Sequence, residues 1–185
     1  RLPRLPVAVD SPMGLRVTEL YQGMRWLFDR ESLEKIARGD DPLSFKDLYA
    51  VRRGQDSVRL REVSEPMLII AGSGMCTGGR IVGHLKELLP KPETCVLFVG
   101  YQARGTPGRA IQEAARRGGG RVRLDGEDVM VRCQVETLSG LSAHADRTEL
   151  RRWLHALPNP RRVALHHGEP EAQRAFAAWV AQRAS

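Results

Sequence analysis

The stretch MLIIAGSGMCTGGRIVGHLKELLP, residues 67–90, carries the architecture of this chain. Met67–Ala71 is an apolar run of strand length. A loop holding Gly72, Gly74, Gly78 and Gly79 follows it, and Arg80–Leu89 then repeats its apolar residues at helical spacing until Pro90 stops the helix. The pattern returns at once. Thr94–Val99 reads as a second buried strand, Gly100–Gly108 as a second loop, and the segment to about Arg117 as a helix ended by Gly118-Gly119-Gly120. Strand, loop and helix twice over predict an α/β fold, a parallel sheet with flanking helices.

Upstream, Val7-Ala8-Val9 is a short apolar run closed by the turn signal Asp10-Ser11-Pro12. Leu15, Leu20, Met24 and Leu27 recur near helical spacing, and a further helix is expected over Glu31–Arg38. Gly39–Glu65 is charged and weakly periodic, a loop with short elements. Downstream, Val122 and Leu124 alternate with charges, Asp125-Gly126 marks a tight turn, and Val129, Val131, Cys133 and Val135 alternate on the way back. This predicts a solvated antiparallel hairpin. After Ser139–His144 comes a helix from about Asp146 to Leu157, opened by the capping pair Asp146 and Glu149. Pro158-Asn159-Pro160 breaks the chain. Arg162–His166 is expected to be a strand and Glu171–Ala184 a closing helix.

Composition bounds the alternatives. The chain has 185 residues, 42% hydrophobic and 28% charged, enough for one globular domain or slightly more. That excludes a disordered or coiled-coil chain. No apolar run approaches the roughly 20 residues that span a bilayer, so no membrane role is expected. Three cysteines, Cys76, Cys95 and Cys133, form an odd set without metal-ligand spacing. They read as reduced thiols in a cytoplasmic protein. The chain begins at Arg1 and enters a buried strand almost immediately, as a piece of a longer protein would. The net charge of +7 rests on 29 basic residues, 25 of them arginine, and suits a polyanionic partner. Arginine that merely solvates a surface explains the same charge. Ten aromatic residues are too few for an extended base-stacking platform.

Both glycine loops follow a strand and precede a helix, where backbone amides and the helix dipole favour an anion. The first is not a Walker loop, because no Gly-Lys-Ser/Thr follows, and its spacing breaks the GxGxxG pattern. Two such loops at the carboxyl ends of parallel strands, with Arg104 and Arg109 in the second, suit a phosphate backbone. Ordinary crossovers with surface arginines weigh evenly against that. Of five histidines, His84 and His155 fall in predicted helices beside leucines, as packing or surface residues do. His144 lies in a small-residue turn before a helix, where it can serve as acid, base or ligand. His166 and His167 end a strand, and strand alternation prevents both from facing one site. There is no H-x-H-x-D-H run, no HExxH and no G-x-S-x-G elbow. The chain alone therefore holds too few ligands for a two-metal centre.

In chain order, Asp10-Ser11-Pro12-Met13, Gly72-Ser73-Gly74-Met75, Gly100-Tyr101-Gln102 with Gly105-Thr106 and Gly108-Arg109, Ser142-Ala143-His144-Ala145-Asp146, and His167-Gly168-Glu169 resemble the β-CASP branch of the metallo-β-lactamase superfamily. The resemblance is to its RNA-cleaving members related to the cleavage-and-polyadenylation endonuclease. It implies a β-CASP domain over 1–141, with its first part missing. It also implies that 142–185 is the returning segment of an αββα lactamase domain. The implied activity is zinc-dependent hydrolysis of RNA phosphodiester bonds by the full-length enzyme, with two zinc ions. The fragment alone is expected to be inactive and without zinc. On the resemblance, His144 is the catalytic histidine near the scissile phosphate and His167 a zinc ligand, with His166 its competitor. Ser73, Gly74, Met75, Gly105, Thr106 and Arg109 would line the RNA groove. The implied partners are RNA and an N-terminal lactamase domain; a homodimer stays open. The rival readings are a non-catalytic RNA-binding or scaffold subunit of the family, a DNA-directed metallo-nuclease, and a plain α/β domain with no nucleic-acid role.

Overall fold

A computed structural model describes residues 5–141, 144–158 and 160–182. The chain divides into two compact units, Arg1–Ser139 and Gly140–Ser185. Among the described residues no helix is long and apolar enough to cross a membrane.

The first unit is mixed α/β with parallel ladders, as its periodicity predicts. Strand β1 (Val7–Asp10) leads into helix α1 (Pro12–Gly23). The Ser11 hydroxyl accepts from the Gly14 amide at 3.1 Å, and Pro12 occupies the first helical position, where its missing N–H costs nothing. Helix α2 (Arg30–Ala37) is capped by Asp29. The charged stretch after it contains the short strand β2 (Leu48–Ala50) and helix α3 (Gly54–Arg59). Strand β3 (Leu68–Ala71), helix α4 (Arg80–Leu88), strand β4 (Cys95–Phe98) and helix α5 (Pro107–Arg116) then follow. β1 pairs in parallel with β2 on one side and β3 on the other, with Ala8 opposite Tyr49 and Ile69.

The sequence-based hairpin requires correction in two respects. Strands β5 (Gly120–Leu124) and β6 (Glu127–Val131) do form an antiparallel pair. Yet the pair is not merely solvated. Val122, Leu124, Val129 and Val131 are buried with Leu85, Leu89, Ile111 and Ala114 in the main core. The period-2 pattern fixed which side chains share a face, but only packing against Leu85, Leu89, Ile111 and Ala114 buries them. Second, Cys133 and Val135 do not continue the return strand. The amides of Arg132 and Cys133 both donate to the Leu89 carbonyl, at 2.8 and 3.0 Å, and turn the chain away. Strand β7 (Gln134–Thr137) then pairs in parallel with β4.

The second unit contains helices α6 (Arg147–Ala156) and α7 (Pro170–Ala181). The strand expected at 162–166 does not form. Among the described residues of this unit there is no strand for it to pair with, and an isolated extended segment has no ladder to satisfy its amides.

Leu124 has no exposed surface, so Leu124→Ala is expected to lower unfolding free energy by about 2–5 kcal/mol. Arg123→Ala, on the exposed side of the same strand, is expected to change it by less than about 0.5 kcal/mol. Urea unfolding followed by circular dichroism measures both.

Candidate active site

In the first unit the two glycine loops meet, although β3 and β4 share no ladder. The amide of Gly108 donates to the Met75 carbonyl at 3.1 Å. The Gln102 side-chain nitrogen donates to the carbonyls of Gly74 at 2.9 Å and Gly100 at 3.1 Å. Gln102 is almost fully buried, so one amide group fastens the loops together in a dry place. Gly108 is required here, because a Cβ at that position would lie 1.8 Å from the Gln102 Oε1. At the far end of the first loop Gly79 has φ +79°, and a Cβ there would lie 2.5 Å from the Gly72 carbonyl oxygen.

The groove residues expected from the sequence occupy these loops. The Ser73 hydroxyl accepts from the Thr77 amide at 3.1 Å and donates to the Gly78 carbonyl at 3.2 Å, so it shapes its own turn. Thr106 caps α5: its hydroxyl donates to the Ala103 carbonyl at 2.7 Å and accepts from the Arg109 amide at 3.3 Å. Arg109 Nε donates to Glu113 one helical turn on, at 2.8 Å, and this bond draws the Glu113 carboxyl below its ordinary pKa.

Sequence reasoning missed a buried polar cluster beneath the first loop. Asp10 is fully buried at the end of β1. Its carboxylate accepts from Ser57 Oγ at 2.5 Å, from Arg80 Nη1 at 2.5 Å and from the His84 ring at 2.6 Å. Arg80 also donates to the carbonyls of Val51 at 2.8 Å and Arg52 at 2.9 Å. Burial pushes the Asp10 pKa up, but the bonds from Ser57, His84 and Arg80 outweigh it and hold the group below its ordinary value. His84 is thus a packing histidine with a polar task. The available signal was Arg80 and His84 at helical i,i+4 spacing, facing one way from α4.

In the second unit the two histidines singled out from the sequence stand together. The His144 and His167 rings lie 6.3 Å apart, inclined by 21°, and both residues are exposed. The turn after His144 is locked by a reciprocal cap: Asp146 Oδ1 accepts from the Glu149 amide at 2.8 Å, and Glu149 Oε2 accepts from the Asp146 amide at 2.9 Å. Ser142 and Ala143, quoted in the same motif, lie outside the described residues. His167 has φ +69° and precedes Gly168. Gln173 Nε2 donates to the carbonyls of both, at 3.3 and 3.1 Å, fastening the turn to α7. His166 is exposed and has no such tether. His155 instead meets the Trp179 edge at 5.8 Å. Among the described residues no three His, Cys, Asp or Glu side chains converge on a point a metal could occupy. Zinc needs three or four donors, so the donor chemistry present fits one contributed imidazole rather than a complete site.

The Beta-Casp domain family matches residues 1–111. The family described as Zn-dependent metallo-hydrolase RNA specificity domain matches residues 128–184. The chain is 41% identical over 183 residues to Ribonuclease TTHA0252 of Thermus thermophilus, covering 99% of this chain and 41% of that protein. It is 33% identical over 176 residues to transcription termination factor FttA of Pyrococcus abyssi, covering 89% of this chain and 26% of that one. Against FttA of Thermococcus kodakarensis the identity is 40% over 131 residues, 68% of this chain and 19% of the other. The chain thus spans well under half the length of these relatives.

Asp10→Asn is expected to destabilise the first unit by roughly 3 kcal/mol at pH 7, because Arg80 keeps its charge without the carboxylate. The Asp10 pKa is depressed on folding, so its contribution is complete above the ordinary carboxylate value of 3.8. It is lost as pH falls through the lower folded value. Denaturant midpoints of wild type and variant should therefore converge below about pH 4 and stay apart at pH 7.

Proposed function

The chain belongs to the β-CASP family of the metallo-β-lactamase superfamily, and we propose that the whole protein is a zinc-dependent ribonuclease hydrolysing RNA phosphodiester bonds. The proposed domains are a β-CASP portion over 1–141 and the returning lactamase segment over 142–185. The observation that carries the reading is the pair of exposed imidazoles, His144 and His167, 6.3 Å apart on two independently fastened turns. The family matches and the ribonuclease name of a 41% identical relative support it.

His167 would donate one ring nitrogen to zinc, with the remaining ligands supplied by other parts of the whole protein and two ions bound in all. Zinc, when bound, acidifies a water and polarises phosphate oxygens. His144 holds a proton beside the leaving oxygen and delivers it as the P–O bond breaks. The Asp146–Glu149 cap keeps its turn from drifting, and positional error of about 1 Å can cost of the order of 100-fold in rate. Ser73, Gly74, Met75, Gly105, Thr106 and Arg109 would form the wall along which the RNA backbone lies. The α5 dipole and the Arg109 guanidinium favour an anion there, while the amides of Thr77, Gly108 and Arg109 are engaged in shaping the loops and capping the helix. The 185-residue chain by itself is expected not to cleave.

In the intact protein, His144→Ala is expected to lower kcat by about 10²–10⁴ while the Kd for RNA changes by less than about twofold. Single-turnover cleavage of matched RNA and DNA oligonucleotides, with binding measured separately, tests this. Activity near wild type removes His144 from the chemistry, and preferential DNA cleavage replaces ribonuclease with a DNA-directed nuclease.

The same protein carrying His167→Ala is expected to lose bound zinc by elemental mass spectrometry, whereas His166→Ala keeps it. The reverse result transfers the ligand role to His166.

A further inference from the structure

Each glycine loop keeps its own shape by local bonds. In the first, Ser73 ties back to Thr77 and Gly78. In the second, Thr106 ties Ala103 to Arg109 at the start of α5. The spacing of the two loops is fixed separately, because the strands that carry them share no ladder among the described residues. Two hydrogen bonds cross between them, from Gln102 Nε2 to the Gly74 carbonyl at 2.9 Å and from the Gly108 amide to the Met75 carbonyl at 3.1 Å. Gln102 is poorly suited to stability alone. It is 3% exposed, and its Oε1 is buried with no hydrogen-bond partner among the described residues. An unpaired buried acceptor costs free energy. The carbonyls that its nitrogen serves belong to Gly74, Gly100 and Tyr101, all exposed residues that water can reach in its place. What the side chain secures is the position of one preshaped loop against the other.

We propose that Gln102 is a positioning residue for RNA. By locking Gly74 and Met75 against Gly108 it makes the two loops one binding wall. A single strand then meets Ser73, Gly74 and Met75 together with Thr106 and Arg109, without first having to order them. This rests on the reading of RNA as substrate and of those residues as its groove, and adds the residue that aligns them. Preorganisation of this kind raises affinity, because the site is not ordered at the expense of binding. The loops hold no group proposed to act in bond cleavage, so their contacts serve ground state and transition state alike. Loss of Gln102 therefore appears in binding and not in turnover, the opposite of the pattern expected for His144.

The test uses the intact protein. Gln102→Met keeps the side-chain length and removes both the donor and the orphan acceptor. It is expected to raise the Kd of a fluorescent single-stranded RNA about tenfold, and the half-saturating concentration in single-turnover cleavage equally. The maximal rate should stay within about twofold of wild type, and the thermal midpoint within about 4 °C. A Cβ at Gly108 would lie 1.8 Å from Gln102 Oε1, so Gly108→Ala crowds Gln102 aside and should raise Kd to a similar extent. The double variant should bind no worse than either single one, because both break the same joint. A Kd for Gln102→Met within about twofold of wild type would overturn the proposal. So would a fall in maximal rate or thermal midpoint at unchanged Kd, or an additive rise of about a hundredfold in the double variant. Because a variant can misfold, wild type is also followed by amide hydrogen exchange. RNA should slow exchange in 72–79 and 100–108 together, and slowing in one loop only, or in neither, overturns the proposal. Direct binding is read without cleavage. A protein that binds RNA with this dependence on Gln102 but does not cleave it refutes the ribonuclease reading and supports the positioning role.

Discussion

A single buried carboxylate organises the first unit. Asp10 has no contact with solvent and accepts hydrogen bonds from Ser57, Arg80 and His84. An isolated carboxylate in such a place would cost several kcal/mol, so its position is tolerable only while α3 and the start of α4 stay against the end of β1. Arg80 extends the constraint by holding the Val51 and Arg52 carbonyls that follow β2. The loop at 72–79 is suspended between β3 and the helix that Arg80 begins. Its shape therefore inherits the rigidity of the cluster beneath it.

The second constraint is the stitching of the two loops. β3 and β4 carry the strand–loop–helix repeat, yet no ladder joins them among the described residues. The Gln102 side chain and the Gly108 amide perform the joining that strand pairing does elsewhere. A side-chain amide fits because it donates to several carbonyls at one buried point, which a backbone N–H in a regular strand cannot do. Cys76 and Phe98, which flank this junction, belong to the same core as the β5–β6 pair and helices α4 and α5.

In the second unit, local turns fix the backbone beside the two histidines. His144 and His167 are set by a capping box and by the Gln173 bonds to two successive carbonyls. Each fastening is local, within six residues of chain. The segment at 162–166 retains the apolar residues Val163 and Leu165 that suggested a strand, without forming one. Strand propensity is realised only against a neighbour.

From the sequence alone came the α/β class, the helix cap at Asp146, the Asp125-Gly126 turn, and the order of motifs that placed His144 and His167 in one family pattern. All of these are written within a few residues of chain, where capping, turn chemistry and periodicity act. Tertiary structure alone decided that β7 pairs with β4 instead of prolonging the hairpin, that Asp10 meets His84, that Gln102 bridges the loops, and that 162–166 goes unpaired. Each of those depends on residues far apart in the chain, and the free energy of such a contact exists only once folding has closed the loop between them.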